Sequence, residues 1–502
     1  MAIASQKDER NNSRQPSQRL SVLEKIGYSL GDLAANLIFQ TLVTFIAFFY
    51  TDVYRIPAGA ASFIITFFGF VGAFSNLIVG AIADRTNTRW GKYRPWVLWT
   101  AVPFGVISLL AFTTPAFSET GKIIYAAVTY FLLIIVYSAN NLPYSALSGV
   151  LTGDMKERNS LSSYRFVAVM VAQFIIQVLL RPLALSIGHG NEQEGFEKVM
   201  FFFAIVGVIF FIITFLTTKE RIVAPKGEKN SVKQDLADLS KNKPWIIMLV
   251  LTILVFITLA LKGGMYVYYF KYYLDQGAQA SFLEHIGFDK FIAGLNHAVT
   301  GMGLGEFQWP KDVYTSANSL FNAGGIIFMI VGIMFSKPLA DRFGKRNVFG
   351  IFLFLSALCL VMFDFYSPDA IGAVFITQIF HGFLYGITIP ILWAMIADVA
   401  DYSEWKNHRR ATAIIFSAMI LGLKIGLSLG SGLGAFILSE YGYVADAARE
   451  TAGAIRGIKM SVSIYPGLVF IIGAALLFGF SINKKMEVTI ENELKQRRSA
   501  AE

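Results

Sequence analysis

Four ionisable side chains interrupt hydrophobic segments in which charges are otherwise rare. They are Asp32, Arg165, Lys262 and Lys424. An ionisable group at membrane depth costs roughly 3 kcal/mol or more, and such groups usually face a polar cavity. A carboxylate accepts two hydroxyl hydrogen bonds at once, and a cationic side chain attracts an anionic group. The four residues are therefore candidates for binding a hydrophilic solute.

The elements that position these residues are hydrophobic segments of membrane-spanning length. A bilayer core of about 30 Å needs roughly 20 apolar residues in a helix. Hydrophobic residues make up 55% of the 502 positions and charged residues 15%, which is typical of a lipid-embedded chain. The sequence predicts an all-α membrane protein with twelve transmembrane helices, near 29–51, 59–83, 95–114, 122–150, 161–187, 198–217, 244–270, 315–336, 347–366, 369–398, 411–438 and 460–482.

The predicted spans divide into two groups of six around a polar cytoplasmic linker at 218–243. The first group predicts an N-terminal six-helix bundle at 21–217, and the second a C-terminal bundle at 244–482. Two polar cytoplasmic tails, 1–20 and 483–502, flank the bundles, and the first is expected to be disordered because it lacks the apolar core of a signal peptide. A long extracellular loop within the second half, 271–314, is expected to form short interfacial helices.

The distribution of basic residues predicts the orientation of the chain. Most of the 43 Lys and Arg residues fall in the tails and in the loops on the same side as the tails. Cytoplasmic loops are rich in Lys and Arg, so we expect both termini in the cytoplasm and a multi-pass protein of the plasma (inner) membrane. These loops also account for the formal charge of +9. The expected partners are therefore the lipid bilayer and a small solute, and not a nucleic acid.

The two halves carry a related motif at matching places. Asp84 and Arg85 follow the second span, and Asp341 and Arg342 follow the eighth. Internal repeats of six spans are typical of a two-bundle carrier. An Asp-Arg loop beside a helix end can form ion pairs between the bundles, which close one side of a cavity and break when it opens. We therefore predict that these four residues belong to a gate.

Further stretches are specific enough to indicate a family. They are 48–53, 84–96, 141–147 and 397–402, the last followed by Glu404. Together they resemble the glycoside–pentoside–hexuronide:cation symporter family of the major facilitator superfamily, typified by melibiose permease. The resemblance covers nearly the whole chain and implies two pseudo-symmetric six-helix bundles. It also implies secondary active transport of a sugar or glycoside, coupled to sodium or a proton.

The resemblance suggests roles for several residues. Asp32 matches a first-span Asp that holds sugar hydroxyls, although it could instead form a structural ion pair. Arg165 matches a fifth-span Arg that donates to the sugar, or it caps a helix end. Lys424 matches an eleventh-span Lys between the sugar and cation sites. Tyr144 lies beside the fourth-span motif, where it could contact a sugar ring.

Other residues are interpreted from the same resemblance or from their own surroundings. Asp398 and Asp401 lie at the tenth-span exit of the family pattern and are included among the gating candidates. Lys262 has no counterpart that the resemblance supplies. It precedes a tyrosine-rich stretch and is treated as a substrate-binding candidate, with a snorkelling Lys as the alternative. His381 could relay protons, although a hydrogen-bonded packing role is favoured.

Three positions depart from the family pattern. Sodium-coupled members carry acidic residues where this chain has Gly72, Asn76 and Asn141. A sodium site favours several hard oxygen ligands, and carboxylates bind best. We therefore favour proton coupling through Asp32 and Lys424 over the usual sodium site, with uncoupled facilitated movement as an alternative. Asn76 is retained as a coupling candidate and Asn141 as a substrate-binding candidate.

The charges of the four ionisable side chains indicate the class of substrate. If all of them face one cavity, one negative charge meets three positive charges. An unpaired buried cation is costly, so an anionic sugar should complete the site, such as a hexuronate, an unsaturated uronate or a sulfonated sugar. In the alternative, Asp32 pairs with Lys424, Arg165 binds hydroxyls, and a neutral glycoside enters with sodium.

Other functional classes have less support. The single cysteine, Cys359, gives no disulfide and no cysteine metal site, and no cofactor is expected beyond a coupling proton or sodium ion. No Ser/His/Asp set or carboxylate pair lies in the spans, so the chain is not expected to be an enzyme. The glycine-rich run 422–434 lacks a Walker Lys-Ser/Thr and favours close helix packing instead. A lipid carrier is less favoured because the predicted cavity is polar.

Overall fold

The computed structural model describes residues 19–152, 155–221, 239, 241–301, 312–407, 412–445 and 450–501. Twelve helices among these residues are long and apolar enough to cross a membrane, which confirms the predicted number. They are α1 (Val22–Val53), α2 (Ala58–Gly80), α3 (Arg94–Ala111), α4 (Glu119–Leu151), α5 (Ser160–Ile187), α6 (Glu192–Thr217), α7 (Lys243–Tyr273), α8 (Val313–Phe343), α9 (Lys345–Met362), α10 (Ile371–Lys406), α11 (Ile415–Glu440) and α12 (Ala452–Gly479).

The helices pack as two bundles whose mutual contacts repeat with exchanged partners. Helix α2 lies along α11, α5 meets α8, and α1 contacts α7. A two-fold axis that relates the first six helices to the last six exchanges α2 with α8 and α5 with α11. The first two contacts are then images of each other, and the third maps onto itself. This is the arrangement expected of two pseudo-symmetric halves.

The glycine-rich run on α11 allows the close packing that the sequence predicted. A Cβ atom at Gly426 would stand 2.6 Å from the carbonyl oxygen of Ile253 on α7, and one at Gly432 would overlap the side chain of Thr66 on α2. Small residues at such positions let helix backbones approach each other. Helix α11 is therefore held tightly against a neighbour in its own bundle and against the other bundle.

The two sides of the molecule are named here by their loops. Because twelve helices return the chain to its starting side, both described chain ends lie on one side, the terminal face. The opposite side, which carries the long loop after α7, is the loop face. That loop contains two short helices, Gln276–His285 and Phe288–Gly301, as expected. A C-terminal helix, Lys484–Ala501, follows α12.

Parts of the predicted tail, linker and loop lie outside the described residues. These parts are 1–18, 222–238, 240 and 302–311. Within the described residues, several helices extend past the predicted span ends. The helices of α2 and α8 continue through Asp84 and Asp341, which therefore lie in last helical turns rather than in loops. Hydropathy reports where the lipid ends, whereas a helix continues until its backbone hydrogen bonds end.

Three helices widen into a π turn on the half nearer the loop face. The turns are Phe49–Val53 in α1, Ile175–Leu179 in α5 and Tyr269–Tyr273 in α7. The first and third lie at equivalent positions in the two halves. Single π turns inside α-helices are rare and frequently occur at functional sites. Each of these three contains or closely precedes a charged residue that joins the two bundles.

One carboxylate outside the spans fixes the start of α3. The Oε atoms of Glu220 accept hydrogen bonds from the backbone N–H groups of Lys92, Tyr93 and Arg94, at 2.8, 2.7 and 2.9 Å. A negative charge at a helix N-terminus is favourable because the first N–H groups have no partner within the helix. Gly91, at φ +111°, leaves the room this carboxylate needs. Glu220 therefore ties the end of α6 to the beginning of α3.

We predict that Glu220→Gln lowers the stability of the purified protein by about 1 kcal/mol, because a neutral amide replaces a carboxylate that accepts three hydrogen bonds. Thermal unfolding in detergent measures the change as a lower midpoint temperature. Glu194→Gln is the matched control, since Glu194 is exposed and paired only with Lys198 one turn along α6. Equal midpoints for the two variants would contradict the role given to Glu220.

Candidate functional site

The first part of the site is an ion pair between α1 and α5. The Nε atom of Arg165 donates to Oδ2 of Asp32 at 2.7 Å. Asn36, one turn along α1, donates to the backbone carbonyl of Asp32 at 2.9 Å and to its Oδ1 at 3.4 Å. Asp32 is buried, whereas the side chain of Arg165 is 27% exposed. The remaining N–H groups of the guanidinium can therefore bind an oxygen-rich solute.

Two tyrosines support this ion pair. The hydroxyl of Tyr28 donates to the backbone carbonyl of Tyr144 at 2.8 Å, and that of Tyr144 donates to the carbonyl of Tyr28 at 2.6 Å. Their rings stack with centroids 4.6 Å apart. The guanidinium carbon of Arg165 stands 5.6 and 5.5 Å from the two ring centroids. Tyr144 thus fixes the guanidinium in place and joins α4 to α1.

The second part of the site joins α11 to α2. The Nζ atom of Lys424 donates to Oδ1 of Asn76 at 3.0 Å. The same ammonium lies 5.4 Å from the ring centroid of Tyr137 on α4. Tyr137 also stacks on Phe39 of α1, with ring centroids 5.1 Å apart. This tyrosine therefore lies between Lys424 and α1, the helix that carries Asp32.

A small cavity lies beside the second part, where α1, α2, α4 and α11 meet. Its volume is about 50 Å³, and its walls include Phe39, Gly72, Tyr137, Lys424 and Ser428. Such a volume holds a few water molecules and is too small for a sugar. A sugar can therefore bind there only after the helices move apart. Gly72 forms part of the wall where the family pattern has an acidic residue, so the cavity has no carboxylate at that position.

Asn141 and Lys262 lie elsewhere. Asn141 is half-buried on α4, and its neighbour Asn140 donates to Thr100 on α3 at 2.9 Å. Lys262 is buried inside the second bundle, with its ammonium 5.4 Å from the ring centroid of Tyr266.

The position of Lys262 changes the expected charge balance. The remaining charges are one acid, Asp32, which pairs with Arg165 of the same bundle, and a further base, Lys424. Without Lys262 these three residues sum to an excess of one positive charge, and the number of charges that face one transport cavity stays a prediction. Lys424, which is hydrogen-bonded to the neutral amide of Asn76, carries that excess.

The loop face is closed by a group of residues that we call the Asp52 cluster. The Oδ1 atom of Asp52 on α1 accepts hydrogen bonds from Lys271, Tyr272 and Tyr443, at 2.9, 3.2 and 2.7 Å. The hydroxyls of Thr51 and Tyr268 lie 2.7 Å apart across the same interface. Burial raises the pKa of Tyr443, which follows α11, and the charge of Asp52 raises it further. The cluster therefore joins α1 to α7 and to the segment after α11.

A second group, the Arg181 cluster, joins α5 and α6 to α8. The guanidinium of Arg181, 2% exposed, donates to Oγ1 of Thr315 and to Oε1 of Glu192, both at 2.6 Å. It also contacts the hydroxyl of Tyr314 and pairs with Asp312 at 3.7 Å. Burial raises the pKa of the Asp312 carboxyl, while the charge of Arg181 acts in the opposite direction. Two buried ionic clusters thus connect the bundles at the loop face.

Most of these loop-face residues were not predicted from the sequence. Arg181 lay inside the predicted fifth span, and this was a signal that a charged partner must exist. Asp52 lay in a motif that was used for recognition only. Lys271 and Asp312 lay in the loop 271–314, to which no role was given. Their partners in the other bundle could not be predicted, because the two residues of each such contact lie more than a hundred positions apart in the sequence.

The predicted gating residues lie on the terminal face. The side chain of Asp84 is outside the described set, and Arg85 is exposed. Asp341 and Arg342 are exposed, and Lys484 donates to the backbone carbonyl of Asp341 at 2.7 Å. Asp401, near the end of α10, is exposed as well.

Asp398 takes part in an ion pair within one bundle. It accepts two hydrogen bonds from Nζ of Lys345, at 2.6 and 2.7 Å, and this pair joins α9 to α10. Arg221 pairs with Glu24 at 2.6 Å inside the first half in the same way. These terminal-face pairs hold single bundles together, and a gate between the bundles stays a prediction.

The comparison with family models gives a match over most of the chain. A model described as MFS/sugar transport protein matches residues 27–299 and 312–484. Three proteins of Escherichia coli strain K12 are similar in sequence. Inner membrane symporter YicJ is 34% identical over 461 residues, 92% of each chain. Putative glycoside/cation symporter YagG is 31% identical over 94% of each chain, and Glucuronide carrier protein homolog is 26% identical over 96% of this chain and 97% of that one.

Solved structures with low sequence identity share the fold. The D-xylose-proton symporter has a TM-score of 0.59 at 13% identity and covers 93% of this chain and 98% of its own. The nucleoside transporter NupG has a TM-score of 0.57 at 15% identity, with 92% and 100% covered. Both likenesses support the two-bundle fold described above. The chain therefore belongs to the MFS/sugar transport protein family, the glycoside–pentoside–hexuronide:cation symporter type of the major facilitator superfamily, and is a multi-pass membrane transporter rather than an enzyme.

Proposed function

We propose that this protein is a cation-coupled symporter that carries an anionic sugar, such as a uronate, together with a proton. The observation that carries the proposal is the Lys424 ammonium, which meets the neutral amide of Asn76 in the central site and no acidic partner among the described residues. A buried cation without a counter-charge is costly. A carboxylate or sulfonate on the substrate would supply that counter-charge. The names of two relatives, a glycoside/cation symporter and a glucuronide carrier homolog, are compatible with this class.

In this proposal each part of the site has its own role. Asp32 accepts sugar hydroxyls while it orients Arg165, and Tyr144 fixes the guanidinium. Arg165 donates to the ring oxygens and hydroxyls, and Lys424 binds the anionic group. Asn141 on α4 is a further candidate for contact once the helices separate.

Alternating access would move this site between the two faces. We propose that the terminal face is cytoplasmic, with both termini inside and the bundles bounded near 21–217 and 244–482. The Asp52 and Arg181 clusters then close the outer side, which makes the described state inward-facing. Rocking of the bundles would break the two clusters and form ion pairs at the terminal face, where Asp84, Arg85, Asp341, Arg342, Asp398 and Asp401 are the candidates.

Uptake into right-side-out vesicles tests the proposal. Labelled uronates and neutral glycosides are offered under separate proton and sodium gradients. Accumulation of a uronate that is driven by the proton gradient alone is the expected result. Accumulation of a neutral glycoside with sodium, unaffected by uronates, would contradict both the anionic substrate and the proton. Equilibration without accumulation under either gradient would instead identify a uniporter.

Lys424→Met should separate the two substrate classes. Since a hydrogen bond to a charged group contributes about 1.5–3 kcal/mol, the KM for a uronate should rise about 10- to 100-fold. The corresponding neutral sugar should keep its KM within about threefold, because it makes no ion pair with Lys424. Competition of each sugar against labelled uronate measures both values. Lys485→Met, which removes an exposed ammonium from the C-terminal helix, is the matched control; a proportional loss for both sugars would point to a structural role for Lys424.

A further inference from the structure

The interior of the second bundle contains a polar group, the Lys262 cluster, that the proposed transport site does not use. It consists of Lys262 on α7 and of Gln378 and His381 on α10. These residues are 8%, 6% and 2% exposed. Gln378 lies directly against Gly325 of α8, where a Cβ atom would stand 2.5 Å from its Nε2. Three helices of the same bundle therefore surround the cluster.

The cluster is separate from the central site because Lys262 lies on the face of α7 that points away from the first bundle. Gly264 faces α1, since a Cβ atom there would be 3.6 Å from the carbonyl oxygen of Thr44. Two residues along an α-helix correspond to a rotation of about 200°, so Lys262 points away from α1. Tyr266, one turn further along, packs against Phe321 of α8 within the second bundle. Lys262 thus points into that bundle.

The hydrogen bonds of His381 define what its other nitrogen can do. Its Nδ1 lies 3.2 Å from the backbone carbonyl of Ser356 on α9. A carbonyl oxygen only accepts, so Nδ1 carries the hydrogen and Nε2 of the neutral ring is an acceptor. Within the described part of the chain, Nε2 is buried without a partner, and so is Oε1 of Gln378. A buried acceptor without a partner costs about 1–3 kcal/mol, so both atoms need a donor.

Lys262 is the charged group whose field reaches His381, although no hydrogen bond joins the two, since Nε2 of His381 has no partner among the described residues. No acidic side chain in the described part of the chain exerts a comparable field on either residue. The other ionisable groups around the pair are the phenols of Tyr266, beside Lys262, and Tyr385, which stacks on His381 at 6.1 Å. Helix α9 presents Ser356, and α12 presents Phe470 behind Tyr385.

Two bases with no acid nearby can carry at most a single positive charge. A second proton would place two like charges in an apolar interior. An ammonium near imidazole Nε2 can pass its proton to that nitrogen through water, since no direct hydrogen bond joins them among the described residues. The pair can therefore hold one proton, and water that enters the interior would stabilise the charged form and raise the affinity for that proton.

We propose that Lys262 and His381 together bind the proton that is coupled to sugar movement, at a site inside the second bundle and separate from Asp32 and Lys424. The inference rests on the proposed symport. It assigns proton coupling to residues of α7 and α10 instead of to Asp32 and Lys424. Helix α7 can transmit the change because it touches α1 at Gly264 and carries Lys271 of the Asp52 cluster. Protonation would thus act on the contact between the bundles.

The test compares Lys262→Met and His381→Gln with the wild type in proteoliposomes. Each variant should lose at least about tenfold in proton-driven accumulation of sugar, while counterflow exchange at equal pH stays within about twofold. Lys290→Met and His285→Gln, which change exposed residues of the two short loop helices, are the matched controls and should match the wild type. Unchanged accumulation overturns the proposal, and so does a parallel loss of accumulation and exchange.

Direct proton binding tests the site without any sugar. An indicator dye measures proton uptake by the purified protein after a drop in pH. The wild type should take up about one proton more than the Lys262→Met/His381→Gln double variant, and equal uptake would refute the proposal. If the wild type transports no sugar acid, the proposed function is wrong. The dye measurement still tests the proton site in that case, because it needs no sugar. Sugar uptake without proton movement would refute the coupling role alone.

Discussion

Asp32→Asn should reduce sugar accumulation by at least about 100-fold while the protein still inserts into the membrane. The carboxylate accepts the Nε–H of Arg165 at 2.7 Å inside the protein. An amide of the same shape removes the charge and leaves the guanidinium without its counter-ion. Removal of one partner from a buried ion pair costs about 3–5 kcal/mol, which corresponds to two or more powers of ten in binding. Uptake of labelled sugar in vesicles, normalised to the amount of inserted protein, measures the loss.

Two further variants test whether the defect comes from loss of the ion pair between Asp32 and Arg165 or simply from loss of an acidic residue. Asp369→Asn changes an exposed acid on the loop face and should leave uptake unchanged. Arg165→Gln should produce nearly the same defect as Asp32→Asn, and the double variant should be little worse than either, because one interaction is removed in all three cases. Wild-type accumulation by Asp32→Asn would show that the pair does not contribute to transport.

Arg181→Met should open the loop face and slow transport by about tenfold. Arg181 of α5 donates hydrogen bonds to Glu192 of α6 and to Thr315 of α8 at once, and no uncharged side chain reproduces this fork of donors. Loss of this cluster removes contacts of the described state, and we expect the equilibrium to shift toward a state in which the loop face is open. The central cavity then becomes accessible from that side.

A cysteine in the cavity wall reports this shift. Cys359→Ser removes the single native cysteine, and Ser428→Cys places one beside the central cavity. A membrane-impermeant maleimide applied to the loop face should label this position at least about tenfold faster after Arg181→Met. His285→Cys, on an exposed loop helix, shows that the reagent reaches that face, and Lys198→Met is the control for loss of a basic residue on the same side. Equal labelling with and without Arg181 would contradict a closing role for this cluster.

The parts of the molecule that depend on local composition could be predicted from the sequence. The spans follow from runs of apolar residues, and close packing of α11 follows from its glycines. Four site residues were predicted because a charge inside a span is costly and because a family motif is specific. They are Asp32, Arg165, Tyr144 and Lys424. The pair formed by Asp32 and Arg165 was not predicted, since the residues are 133 positions apart.

The rotation of each helix about its axis could not be predicted in the same way. Lys262 lies near the middle of its span, at the membrane depth expected of a binding site. Hydropathy predicts this depth, but it does not predict which way the side chain points. Its direction depends on which face of α7 packs against α1, and nearly every face of this helix is apolar. The number of charges that line the transport cavity therefore stays a prediction. Arg181 shows the converse, because its partners come from α6, from α8 and from the segment before α8, which no local pattern connects.

The three π turns near the loop face determine how the bundles can separate. A π turn closes its hydrogen bonds over five residues, so it stores one residue more than an α turn in the same length of helix. If such a turn rewinds to α geometry, the side chains beyond it rotate by about 100° about the helix axis. Asp52 and Lys271 lie inside two of these turns, and Arg181 lies just after the third. A change of winding in α1, α5 and α7 would therefore turn Arg181 away from its partners and shift Asp52 and Lys271 within their turns, so the loop-face closure can be released by a screw motion of single helices before either bundle tilts.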